Sequence, residues 1–360
     1  MELMKKQMND TSTMIDKYVN ETELQDRTRK ARNVTMSALS ALKDVQSAVL
    51  HNKVPGETAT EFDTDFLTVL LARQENWQLD GLELKSKEED FMFQLPDNMH
   101  ELIGIGSDGV IDTQIYHFKN NPYFWASDSD QVTSQVIGLQ FTQADQSEVP
   151  INNLPDTIDL YLVNPNASSS PILPTIHPVT NQTLYAFNWT NSNASVLIQV
   201  DSDYGDSNDL QPEIEVCIQF ESPPNATHNV RCKMLPQVKS SNFSGWNGSD
   251  VSPYSWLLNP DDVSDFGVYY FTVKRLQNLE DLPQHVVYAF EAQCIYWDDE
   301  QEDWKGDGCR VGAYTSLTHT HCQCNHLTFF ALSLFVLPNA ANLVKDAILF
   351  LSFLDNPSPW

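Results

Sequence analysis

The run Cys322-Gln-Cys324-Asn-His326-Leu327-Thr328 sets an imidazole two residues ahead of a hydroxyl. A threonine hydroxyl is barely ionised and a peptide amide is resonance-stabilised, so Thr328 attacks the Leu327 carbonyl poorly without help. His326, with an ordinary pKa of about 6.5, can take the Thr328 proton as general base, a contribution of about 10²- to 10⁴-fold. Attack of Thr328 Oγ1 on the Leu327 carbonyl carbon would move the acyl group from nitrogen to oxygen and leave an ester that water hydrolyses. The shift is uphill from a relaxed peptide, and a distorted backbone would store about 1–3 kcal/mol towards it. This chemistry needs a rigid frame. Cys294, Cys309, Cys322 and Cys324 precede the triplet and are the residues to supply it; four cysteines allow three pairings, which spacing leaves open.

Other clusters are weaker. Cys217 and Cys232 enclose Pro223-Pro224 and Asn225, and a bridge between them is expected to be structural, at about 3 kcal/mol of loop entropy. His319, His321, Cys322, Cys324 and His326 offer zinc-type ligands. An extended run cannot readily close a tetrahedral shell by itself, and an oxidising compartment would consume the thiols. The segment Asp201–Asp209 fails the calcium-loop register, with Gly205 at position five and Pro212 at position twelve, and reads as a solvated turn. The acidic run Asp298–Asp303 reads the same way. No Gly-x-Ser-x-Gly or His-Glu-x-x-His pattern occurs, so a trans-acting hydrolase is not expected. Cleavage at the triplet would be a single event in cis, with no cofactor and no bound metal.

The 360 residues are 41% hydrophobic and carry a formal net charge of −28. That acidity excludes non-specific nucleic-acid binding and docking on an anionic membrane surface, both of which need Lys and Arg. Asn-x-Ser/Thr sequons stand at Asn9, Asn20, Asn33, Asn166, Asn181, Asn188, Asn193, Asn225, Asn242 and Asn247. With six cysteines, all after residue 216, they indicate an extracellular, disulfide-forming environment. The start Met1-Glu-Leu-Met-Lys-Lys-Gln has no apolar signal core, and the best tail candidate, Ala347 to Leu354, is too short to span a bilayer. Extracellular chemistry without either feature is expected of a fragment of a longer chain.

The elements that would position the triplet follow from periodicity. Residues 1 to about 80 read as helical: Ala38, Leu42, Val45 and Val49 form one stripe, and Val54-Pro55-Gly56 ends it. Thr58 with Glu61 then resembles a capping box opening a second helix through Phe62, Phe66, Val69 and Leu70. From about residue 109 the period becomes two, in Ile111/Thr113/Ile115, Ile137/Leu139/Phe141, Ile158/Leu160/Leu162 and Ile214/Val216/Ile218/Phe220. Such strands predict an antiparallel sandwich. Residues 164–178 and 240–253 read as exposed loops. Phe329, Phe330, Leu332, Leu334, Phe335, Val336 and Leu337 make a nearly continuous apolar run, the pattern of a strand covered on both faces. Its gross burial, roughly 10–20 kcal/mol, would keep it docked after cleavage.

Taken in order, Cys294-Ile-Tyr-Trp297, Trp304, Gly308-Cys309, Cys322-x-Cys324 and His326-Leu327-Thr328 resemble the GPS proteolysis motif of GAIN domains, the self-cleaving extracellular modules of adhesion receptors and polycystins. The resemblance covers about residues 290–337 and implies bridges Cys294–Cys322 and Cys309–Cys324. Asn121-Pro-Tyr-Phe-Trp125, Glu148-Val-Pro-Ile-Asn-Asn-Leu154, Phe335-Val-Leu-Pro-Asn339 and Leu349–Pro357 are similar to segments of polycystin-1-like proteins. The ending Ser358-Pro359-Trp360 departs from their continuation into a membrane span. The resemblance implies an α+β chain: a helical subdomain over 1–108, an antiparallel β-sandwich over 109–338 that contains the motif at 290–338 and ends in the GPS strand, and a juxtamembrane tail over 339–360. It further implies cleavage between Leu327 and Thr328, a place on the extracellular face of the plasma membrane or cilium within a larger membrane protein, and a polycystin-2-like cation-channel subunit as partner. An adhesion G-protein-coupled receptor ectodomain and a non-cleaving binding module are the competing readings.

Overall fold

The computed structural model describes residues 2–86, 90–106, 109–164, 177–179, 182–202, 213–224, 230–236, 252–276 and 285–336. The sequons at Asn166, Asn181, Asn225, Asn242 and Asn247, most of the Asp201–Asp209 segment and the tail 339–360 lie outside the described residues.

No Gly or Pro interrupts residues 2–51, and the chain forms one α-helix over Glu2–His51. It stops ahead of Pro55, and Gly56 turns the chain with a φ of +83°. The helix packs through its C-terminal part, where Leu39, Leu42, Val49 and Leu50 meet an aromatic cluster. The buried stripe differs from the expected one. Ala38 and Val45 face solvent, and the buried Gln46 takes the facing place, its Oε1 accepting the Tyr116 hydroxyl at 2.7 Å. No helix among the described residues is long and apolar enough to cross a membrane.

The second helix expected from Thr58 is a β-hairpin, Thr60–Asp63 against Leu67–Glu75. The reason is tertiary. Leu67–Glu75 pairs along its whole length with Val110–Phe118, and the buried Arg73 makes a bidentate ion pair with Asp112 directly across at 2.6 and 2.7 Å. Nine paired residues outweigh a capping pattern worth about 1 kcal/mol. Residues 60–105 accordingly carry strands and short helical turns, the α-helical one being Met99–Ile103.

All strand pairings among the described residues are antiparallel. The central nine-stranded sheet runs Thr60–Asp63, Leu67–Glu75, Val110–Phe118, Val136–Gln143, Phe329–Val336, His285–Asp298, Ser195–Ser202 and Ser255–Leu258, with Asp303–Lys305 added beside His285–Asp298. A second sheet orders Cys309–Val311, His319–Cys324, Ile158–Val163, Phe91–Gln94 and Glu83–Lys85. A third orders Arg231–Leu235, Ile214–Phe220, Gly267–Arg275, Gln182–Trp189 and His177–Val179. Alternate residues of the central strands choose different layers. Ile115, Leu139, Phe290, Phe330 and Leu332 pack on Phe91, Phe93, Leu160 and Cys322 of the second sheet. Val196, Ile198 and Ala289 pack on Phe187, Val216 and Phe271 of the third. On that same side, Tyr116, Ile295, Trp297 and Ala331 join the helix end and Tyr123. The four strands expected at 111–115, 137–141, 158–162 and 214–220 are all present.

Candidate functional site

The triplet is the crossover between two layers. His319–Cys324 ends in the second sheet, Phe329–Val336 begins in the central one, and residues 325–328 make the bend. Two bridges brace it. Cys294–Cys322 ties the central sheet to the second, and Cys309–Cys324 ties neighbouring strands of the second sheet; this is the pairing that the family resemblance implies. Cys217–Cys232 joins facing residues of the third sheet, away from the triplet. The thiols of the His319–His326 run are thus bonded to other cysteines, and His321 stacks on Tyr161 with Nε2 against Asp159 at 2.9 Å.

Backbone hydrogen bonds fix the bend from three directions. Asn325 N–H donates to Gly308 O at 3.0 Å, Leu154 N–H to Asn325 O at 2.8 Å, and Leu327 N–H to Ile151 O at 3.1 Å. The bend is built without left-handed residues; among the described residues the non-glycine positions with positive φ are Gln146, Asn153, Glu221 and Glu302.

The His326 ring packs edge-on to Tyr296 at 4.4 Å between centroids and tilts against Phe330 at 5.6 Å. Its Nδ1 lies 3.1 Å from Asn325 Oδ1, which accepts the ring proton and assigns the basic lone pair to Nε2. Nε2 is shut off from solvent and has no partner among the described residues. Burial pushes the pKa below its ordinary value, with the nearby Asp307 carboxylate opposing. The ring is therefore a neutral base at neutral pH. Gly308 makes room for it: with φ of +76°, a Cβ there would stand 2.8 Å from His326 Nδ1 and 2.7 Å from Asn325 Oδ1.

Thr328 Oγ1 donates to the Trp297 carbonyl at 3.0 Å, so the hydroxyl is committed to the neighbouring strand and not to His326. Trp297 is itself fixed. Its ring stacks on Tyr123 at 4.0 Å and meets its cross-strand partner Trp304 at 5.7 Å, and its Nε1–H donates to Asp299. Phe329 lies on Gly138, where a Cβ would come within 2.4 Å of the ring. The Leu327–Thr328 peptide borders a cleft of about 240 Å³ that Lys43 of the long helix, Glu148, Asn152 and Asp299 also line. Lys43 Nζ lies 3.1 Å from Glu148 and holds that carboxyl below its usual range.

His326, Leu327, Thr328, Trp297, Trp304 and Gly308, all expected from the sequence, lie close together at the bend. The sequence could not assign Asn325, Tyr296, Ile151, Leu154 and Tyr123 their places. Ile151 and Leu154 fall in the 148–154 segment and Tyr123 in the 121–125 segment, so two of the four stretches that carried the resemblance beside the motif pack around it. Asp298–Asp303 is also more than a solvated turn, since Asp299 binds Trp297 and Asp298 Oδ1 accepts the Glu300 and Gln301 amides. Among the described sequons, Asn9, Asn20 and Asn33 lie on the long helix, Asn188 on a strand of the third sheet, and Asn193 on an exposed turn.

Residues 264–335 match the GPS family, GAIN subdomain B. Polycystin-1-like protein 3 of Homo sapiens is 29% identical over 253 residues, covering 69% of this chain and 14% of the relative. Its Mus musculus counterpart is 24% identical over 257 residues, covering 69% and 11%. Adhesion G-protein coupled receptor G6 of Danio rerio is 29% identical over 179 residues, covering 45% of this chain and 15% of the relative. The chain therefore spans a small part of the length of these proteins. Residues 264–335 carry a GPS region of GAIN subdomain B, and the chain is similar to polycystin-1-like proteins over 69% of its length.

Proposed function

We infer that this chain is an extracellular GAIN module that cuts its own backbone between Leu327 and Thr328 and holds the two pieces together. The observation that carries the reading is the buried, unpartnered Nε2 of His326, a neutral base two residues from a hydroxyl, on a bend clamped by two disulfides. In the reaction Thr328 rotates its hydroxyl off the Trp297 carbonyl and gives the proton to Nε2. Oγ1 bonds to the Leu327 carbonyl carbon, the C–N bond breaks, and the proton passes from imidazolium to the departing amine. Water entering through the cleft beside the peptide then hydrolyses the ester. His326→Ala and Thr328→Ala are each expected to leave one unbroken chain on a denaturing gel, and Thr328→Ser to keep cutting. Full cleavage in either alanine variant excludes the mechanism.

The cut strand stays because Phe329–Val336 lies inside the central sheet, between Val136–Gln143 and His285–Asp298. Where pairing with Val136–Gln143 ends, Thr133 and Ser134 continue the ladder through their hydroxyls to Leu332 and Leu334. By similarity to polycystin-1-like relatives, the parent is a membrane protein with this module outside the cell, working with a polycystin-2-like channel subunit in cation-channel signalling driven by force or ligand. The adhesion-receptor match supports a second reading, the same module ahead of a seven-helix receptor. Whether the two pieces co-purify with a channel subunit or with a G protein separates the two.

A further inference from the structure

Besides the cleft at the triplet, the described residues form a larger one of about 1150 Å³, lined by polar and apolar side chains alike and above the roughly 300–1,000 Å³ that holds a drug-sized ligand. One wall is the turn 190–193, which carries the chain from the third sheet to the central one; the other is the motif loop from Trp304 to Val311. On its floor the buried Glu291 accepts the Thr190 amide at 3.2 Å and Gln293 accepts from Asn191 at 2.9 Å. Gly306 lets the loop backbone close on that floor, since a Cβ there would lie 2.2 Å from Gln293 Nε2. Lys305 and Arg310 stand on the far wall. These groups are partnered within the protein, Lys305 with Asp298 at 2.9 Å and Arg310 with Gln323 at 3.0 Å, and each keeps further donors or acceptors. Sugar hydroxyls, which both donate and accept, can bond to those.

The rim offers an attachment point for such an occupant. Asn193 heads an Asn-Ala-Ser sequon, is exposed, and lines the cleft. The Ala194 N–H to Asn191 O bond and the Asn193 N–H to Asn191 Oδ1 bond hold it at the tip of a tight turn. A ligand attached there enters at the millimolar effective concentration of an intramolecular event. We propose that the core sugars of an Asn193-linked glycan lie in this cleft and bridge the 190–193 turn to the motif loop 304–311. The glycan would then support the loop whose Gly308 backs His326.

The proposal rests on the extracellular reading, and Asn33, exposed on the long helix and absent from the cleft lining, keeps the two apart. The test is site occupancy and native-state release by peptide:N-glycosidase on the full chain secreted from mammalian cells. Both sites are expected to be occupied. Native release at Asn193 is expected about tenfold slower than at Asn33, the factor that one or two net hydrogen bonds supply, and equal after denaturation. Amide hydrogen exchange over 304–311 should rise in Asn193→Gln and stay unchanged in Asn33→Gln. Occupied Asn33 with empty Asn193, equal native release, or unaltered exchange in Asn193→Gln each overturns the proposal. If neither site is occupied, the extracellular reading falls and the glycan with it.

Discussion

Gly308 and His326 act as a pair: the glycine supplies a left-handed backbone and an empty volume, and the imidazole fills it. Gly308→Ala introduces both a backbone strain of about 1–3 kcal/mol and a clash with the ring. A lower thermal midpoint and slower cleavage should appear together, read by calorimetry and by gel. The pH response at this residue has a definite sign. Burial disfavours the imidazolium, so the folded state binds its proton less readily than the unfolded chain. The ring's contribution to stability is complete above the ordinary pKa of about 6.5 and declines as pH falls through the lower folded value. Cleavage in a buffered cell-free secretory system should hold its rate from pH 8 to below 6.5. A rate halved at pH 6.5 would indicate an ordinary, solvated histidine.

The Asp128 carboxyl fastens the aromatic segment to the motif hairpin. Asp128 Oδ2 accepts the Trp304 amide at 2.9 Å, and both Asp128 Oδ1 and Asp303 Oδ1 are buried without a partner among the described residues. Burial, together with the neighbouring Asp303 carboxyl, favours the protonated form of Asp128 and pushes its pKa up to about 6. The folded state therefore takes up this proton more readily than the unfolded chain. Its contribution is full below the ordinary carboxyl value and is lost as pH rises through about 6. Asp128→Asn, which imitates the protonated form, should stabilise by about 1 kcal/mol at pH 7.5 after allowance for solvent screening, and by almost nothing at pH 4, in paired denaturation curves. On the other side of the motif, replacing Cys294 and Cys322 with alanine opens a closure of 28 residues. The expected loss is about 3–4 kcal/mol of stability, with cleavage lost as well, since the two layers are no longer tied at the bend.

Over the whole molecule, the terminal strand is a central member of the largest sheet, with Phe330, Ala331 and Leu332 buried. Phe330→Ala should cost about 3–5 kcal/mol and lower the denaturant concentration at which the cut strand leaves its partner, while the uncut Thr328→Ala chain unfolds as one piece. Release of the native strand in mild detergent alone would contradict the docking. The long helix reaches this region through its end, where Lys43 lines the cleft at the peptide and Gln46 binds Tyr116.

The triplet, its cysteines, the motif tryptophans and the alternating strands were legible in the sequence because each is a local pattern: spacing fixes which side chains share a face or follow one another. The hairpin at 60–75 was misread because its capping signal is local, whereas the ladder that decided it comes from strand Val110–Phe118. Val45 was misplaced for the same reason, since a helix face becomes buried only when a neighbour such as Tyr116 covers it. The lowered pKa of His326, the Thr328 bond to Trp297 and the wrapping of the bend by residues 151–154 were decided by the tertiary structure. Desolvation and long-range hydrogen bonds depend on what the fold places nearby in space, and adjacency along the chain does not encode that.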